Sequence, residues 1–158
     1  MTTIQSIKET NKAIVINAKN TNFIFSIDVL DYRFTVIEKL NKLIGLVLKN
    51  KTKANTEKIK KLVCEIYSDF VICNVIEKGD LDYSLEVALK TYSSKPIDKE
   101  DLICSLLSVC QSINTTVGVN KEEPKIFSRY DYTTRAIDIL MRICQVYNLD
   151  FKEVILGD

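Results

Sequence analysis

The chain of 158 residues contains no histidine and no tryptophan, only four glycines and only two prolines. The missing histidine excludes the most. It rules out Ser-His-Asp and Cys-His catalysis, histidine proton shuttles and histidine-ligated metals. A metal ion on this chain would be a hard cation on carboxylates, Mg2+ or Mn2+. The scarcity of glycine and proline leaves few tight turns and points to long regular elements, hence a helix-rich chain. There is no excess of one charge: 22 Lys and Arg stand against 21 Asp and Glu, a formal net charge of +1. That balance argues against nucleic-acid or membrane binding through bulk charge. No apolar run approaches the ~18 residues of a membrane-spanning helix. Residues 1–11 are polar, so no signal peptide is expected either.

The five cysteines, Cys64, Cys73, Cys104, Cys110 and Cys144, form no C-x-x-C pair and are odd in number. Set among apolar residues, they read as buried, reduced thiols of a cytoplasmic protein. The composition is otherwise that of a soluble globular chain, 46% apolar and 27% charged. Its bias to Lys, Asn and Ile is typical of AT-rich genomes, such as those of many phages, viruses and low-GC bacteria. For a viral protein the compartment would be the host cytoplasm.

Taken in order, residues 1–12 read as polar and either frayed or loosely helical. Ala13–Ile16 and Phe23–Ile27 are β-rich runs, and the turn chemistry of 17–22 between them predicts a hairpin. Apolar residues at helical spacing then predict a helix over Tyr32–Lys49, capped by Asp28 or Asp31, and a second over Thr56–Glu77 that Gly79 stops. A short helix over Tyr83–Tyr92 follows, closed off by Pro96. Asp98 and Asp101 cap a fourth helix, and 114–124 reads as a flexible loop. The clearest amphipathic helix spans Tyr130–Tyr147, with Ile137, Leu140, Met141 and Cys144 inward. Asp150-x-x-Glu153 caps a last short one. The expected fold is mainly α, a single-domain helical bundle of about four long and two short helices with a small N-terminal β-hairpin. The hairpin region would fill 1–31, one helical unit 32–96 and a second 97–158.

The candidates for chemistry are acidic residues on helix faces. Glu65 and Asp69 share a face at i, i+4, Glu38 precedes them, and Asp138 lies on the last long helix. Carboxylates from antiparallel helices, facing one cleft, could hold Mg2+ against a polyphosphate and activate a water. The lysines of 49–61, Lys58 and Lys61 among them, could neutralise phosphates. The same residues also read as a solvated face with intrahelical pairs such as Asp131–Arg135 and Arg135–Asp138.

Ala136-Ile137-Asp138-Ile139-Leu140, followed by Leu149-Asp150-Phe151-Lys152-Glu153, resembles the closing helix and turn of MazG-type all-α nucleoside triphosphate pyrophosphatases. Glu65–Lys90 looks like the same unit again, and Glu38 matches the first Glu of that family's E-x-x-E motif. The resemblance implies a metal set of Glu65, Asp69 and Asp138 around Mg2+, with Glu38 completing the catalytic carboxylates. It also implies cleavage of a nucleoside triphosphate to the monophosphate and pyrophosphate. The pattern is degenerate: Asn41 stands in place of the second Glu, Glu65-x-x-x-Asp69 replaces E-x-x-D, and Arg135 takes a Glu position. A relative that binds nucleotide without turnover is implied at least as strongly as an active enzyme. The competing expectation is a non-enzymatic helical protein that works by contact, such as a phage- or virus-encoded inhibitor of a host protein or a subunit of a small assembly. A homodimer is compatible with both.

Overall fold

The computed structural model describes residues 3–20, 29–76, 81–91, 98–122 and 131–156. These residues form seven helices: α1 (Thr3–Asn20), α2 (Val29–Leu48), α3 (Lys53–Ile76), α4 (Leu81–Thr91), α5 (Lys99–Glu122), α6 (Asp131–Val146) and α7 (Phe151–Leu156). None of the described helices is long and apolar enough to cross a membrane.

The helices α2, α3, α5 and α6 make the central bundle, α2 packing on α3 and α5, and α6 on α3 and α5. One end of the bundle fixes their directions. Lys99 Nζ, at the start of α5, donates to the carbonyls of Leu48 and Lys49 at 3.1 and 3.2 Å. Lys51 Nζ donates to the Val146 carbonyl at 2.8 Å and lies 5.4 Å from the centre of the Tyr147 ring. The ends of α2 and α6 and the starts of α3 and α5 therefore meet, and neighbouring helices run antiparallel. Both lysines satisfy carbonyls that a helix C-terminus leaves without an intrahelical donor.

The two units repeat one plan. Each is a long hairpin followed by a short helix, and each short helix packs on the second helix of the other unit, α4 on α6 and α7 on α3. Val36, Leu40, Leu43 and Ile44 of α2 are buried at the same spacing as Leu102, Leu106, Val109 and Cys110 of α5. Burying each large aliphatic side chain contributes roughly 1.5–3 kcal/mol, so these stripes fix the pairing of the hairpins. Tyr67 and Phe151 join α3 to α7 edge to face, with ring centres 5.8 Å apart. The turn into α7 is built on Asn148, whose φ is 56°. There Leu149 N donates to the Cys144 carbonyl at 2.7 Å and Asn148 N to that of Gln145 at 3.2 Å, the paired bonds of a Schellman cap.

The predicted hairpin is not present. No strand occurs among the described residues, and Ala13–Ile16 lies inside α1. Residues 1–12, expected to be frayed or loosely helical, belong largely to the same helix, which is regular from Thr3. Packing explains both. Ile7 and Asn11 are buried, Ile14 and Val15 are half-buried, and α1 docks along α3 and α7. The burial of this helical stripe outweighs the modest β preference of Ile and Val. The loop expected over 114–124 also yields, since α5 runs through Gly118 and Asn120 to Glu122. Asp98 and Asp150 cap as expected, their Oδ1 atoms accepting from Asp101 N at 2.8 Å and Glu153 N at 3.2 Å. Asp31 falls within α2 and does not cap it. The second predicted strand, Asp28, Gly79 and Pro96 lie outside the described residues.

Candidate functional site

A groove of about 440 Å3 lies along the α2–α3 hairpin. Two matching stripes line it. Lys42, Gly45 and Leu46 of α2, with Lys49 just beyond, occur at i, i+3, i+4 and i+7. Lys58, Lys61, Leu62 and Glu65 of α3 repeat that spacing. Positions so spaced share one helix face, so the hairpin turns a cationic face of each helix to the same cleft. Four lysines stand there against one glutamate, in a chain whose formal net charge is only +1. All four lysines are exposed. Their mutual repulsion is relieved by any anion that enters, and a concave wall focuses that field.

Gly45 sharpens the picture. It sits inside a 20-residue helix, and a Cβ built on it would meet nothing within 4 Å. No packed neighbour demands glycine there. In a helix interior glycine costs about 1 kcal/mol relative to alanine. What the missing side chain leaves is open space on the groove wall, beside Leu46 and across from Leu62.

The carboxylates singled out in the sequence do not assemble. Glu38 is exposed on α2. Glu65 lines the lysine groove. Asp69, one turn along α3, is buried and its Oδ2 accepts from Lys39 Nζ at 2.7 Å. Asp138 lies on α6 along a separate groove, where its Oδ2 accepts from Arg142 Nε at 3.0 Å. Among the described residues no three His, Cys, Asp or Glu side chains gather so that they could hold a metal ion. The donor set Glu65, Asp69 and Asp138 does not fit Mg2+: two members are neutralised by cations, and Glu65 and Asp138 line different clefts. Lys58 and Lys61, by contrast, line one groove with Lys42 and Lys49.

Sequence reasoning missed Lys42, Gly45, Lys39 and Arg142. The signal for the first two is the repeated i, i+3, i+4, i+7 stripe. Lys39 gave none, because an ion pair across helices depends on packing; Arg142 stands at i+4 from Asp138, a signal along α6 itself. The cysteines are free thiols where described. Cys110 and Cys144 are buried as expected and Cys64 is half-buried, but Cys104 is exposed. Burial pushes the Cys144 thiol up to about 12, with Asp150 adding to the shift, so it is neutral and unreactive at ordinary pH.

No protein-family model, curated protein or solved structure matches this chain.

Proposed function

We propose that the chain is a nucleotide-binding helical protein that holds a nucleoside polyphosphate in the α2–α3 groove without metal-dependent hydrolysis. The observation that carries this reading is the pair of lysine stripes facing one cleft with an apolar floor. Leu46 and Leu62, beside the open wall at Gly45, offer a surface for a base or sugar. Lys42, Lys49, Lys58 and Lys61 supply charge for the phosphates, as point charges on flexible stems. The formal surplus of three positive charges, four lysines less one glutamate, suits a polyphosphate better than a single anionic group. Glu65, on the same face, is placed to accept from a ribose or base donor. The degenerate resemblance to MazG-type pyrophosphatases agrees with binding of this ligand class. The scattered carboxylates disfavour that family's metal chemistry, which is why we place binding ahead of turnover.

The test is a thermal-shift panel of nucleoside mono-, di- and triphosphates, run with EDTA and then with Mg2+. The melting temperature should rise with phosphate number and keep rising in EDTA, with no pyrophosphate released. A ligand at about 100 times its Kd adds roughly 2.7 kcal/mol to stability, well within reach of this assay. An absence of any shift across the panel would sink the nucleotide reading and leave the contact-protein reading standing. Release of pyrophosphate with Mg2+ would sink the claim that turnover is absent.

A further inference from the structure

The second hairpin carries its own groove, and its chemistry differs from the first. It measures about 540 Å3 and lies along α5 and α6. Arg135, Asp138, Ile139 and Arg142 line it from α6 at i, i+3, i+4 and i+7, the spacing of the lysine groove, while Ser105 and Ser108 line it from α5. We infer that this groove is a second anion site, which takes a single phosphoryl group on a guanidinium held in place by a carboxylate.

Arg142 lines this groove from α6. Its Nε donates to Asp138 Oδ2 at 3.0 Å, and the two side chains are only 21% and 26% exposed. Asp138 Oδ1 is buried and meets no donor among the described residues. The carboxylate thus has one partner, and that partner is fixed at one edge of its fork. The same pair leaves the guanidinium's other donors without an acceptor among the described residues. A planar, pre-oriented fork matches two phosphate oxygens, and two serine hydroxyls from the facing helix can serve the remaining ones. Orientation by Asp138 lowers the ordering cost that a free arginine incurs on binding. The donors set the ligand's size: one fork facing two serine hydroxyls matches the oxygens of a single phosphoryl group and falls short of a polyphosphate chain. This groove is separate from the lysine groove, so the inference stands or falls independently of the nucleotide reading.

Inorganic phosphate, titrated into the 15N-labelled chain at constant ionic strength, is the probe, with acetate in a parallel arm. Saturable shifts are expected at the amides of Ser105, Ser108 and Arg142. Arg142→Lys keeps the charge and removes the fork. It should weaken phosphate binding by about tenfold, the loss of one charge-assisted hydrogen bond, with little change in melting temperature. Ser108→Ala, an exposed position that folding tolerates, should weaken it by roughly threefold. The Lys58→Gln/Lys61→Gln pair should leave it unchanged. Shifts confined to the α2–α3 groove, or no saturable shift at all, would overturn the proposal. So would acetate binding as tightly as phosphate, or a Ser108→Ala variant that binds phosphate like the parent.

Discussion

Lys39 Nζ lies 2.7 Å from Asp69 Oδ2, and the pair ties α2 to α3 with the two side chains 26% and 12% exposed. The carboxylate best placed by sequence to ligate a metal is thus already neutralised by the neighbouring helix. A partly buried pair of this kind is costly to break from one side, because the partner keeps its charge and loses its counter-charge. Lys39→Met should therefore destabilise the fold by about 2–3 kcal/mol in urea unfolding. Adding Asp69→Leu to it should recover most of that loss. A cost below about 0.5 kcal/mol for Lys39→Met would mark the pair as an ordinary solvated one and reopen Asp69 as a ligand.

Gly45→Ala separates stability from binding. A Cβ meets nothing there, so the helix should gain about 0.5–1 kcal/mol, seen as a higher melting temperature. The same methyl narrows the α2–α3 groove, and nucleotide affinity should fall in a parallel calorimetric titration. A variant that is both more stable and equally avid would mean that the groove does not use the space at Gly45.

The core sets a pH dependence at the alkaline side. Tyr67 is buried, and desolvation pushes its hydroxyl above the usual 10.0, opposed in part by its hydrogen bond to Asn11 and reinforced by Asp82. The Cys144 thiol rises from 9.0 to about 12 by the same desolvation. In the unfolded chain both groups lose their protons at the ordinary values, while in the folded chain they keep them. Their contribution is complete below about pH 9 and declines as pH climbs past each unfolded value, by up to about 1.4 kcal/mol per pH unit for each group. Melting temperature should thus fall steeply between about pH 9 and 11. Tyr67→Phe should flatten part of that slope. It should also cost about 1–2 kcal/mol at neutral pH, because Asn11 loses the hydroxyl at 2.7 Å while its Nδ2 already lacks an acceptor. An alkaline profile identical to the parent's would show that Tyr67 does not set it.

The long helices were legible because their buried residues recur at helical spacing and burial is what they need. Helix α6 follows its apolar stripe almost residue for residue. The first helix was not legible, and Asn11 is the reason. It occupies the centre of the buried stripe between Ile7 and Ile14, and its Oδ1 accepts from the hydroxyl of Tyr67, 56 residues away. A sequence window shows the interruption and not the distant hydroxyl. Ala13–Ile16, cut off from the rest of the stripe, then reads by its β-branched residues as a strand. The candidate site was legible in the same uneven way. The cluster around Lys58 and Lys61 is local, so the basic patch could be seen. That Glu65 joins the lysines while Asp69 turns to Lys39 depends on how helices meet, which spacing along one helix does not determine; the pairing of Asp138 with Arg142 lies within α6 at i, i+4 and was open to spacing.

The most direct test is a calorimetric titration of the parent chain and of Lys58→Gln/Lys61→Gln with a nucleoside triphosphate in EDTA, at two salt concentrations. Both lysines are exposed, so the fold should survive their loss. The parent should bind without Mg2+, more weakly at high salt as screening demands. The double variant should bind roughly thirtyfold more weakly, about 2 kcal/mol for two lost phosphate contacts. Equal affinity in parent and variant, or binding that appears only with Mg2+ and vanishes on Asp138→Asn, would contradict metal-free binding in the α2–α3 groove.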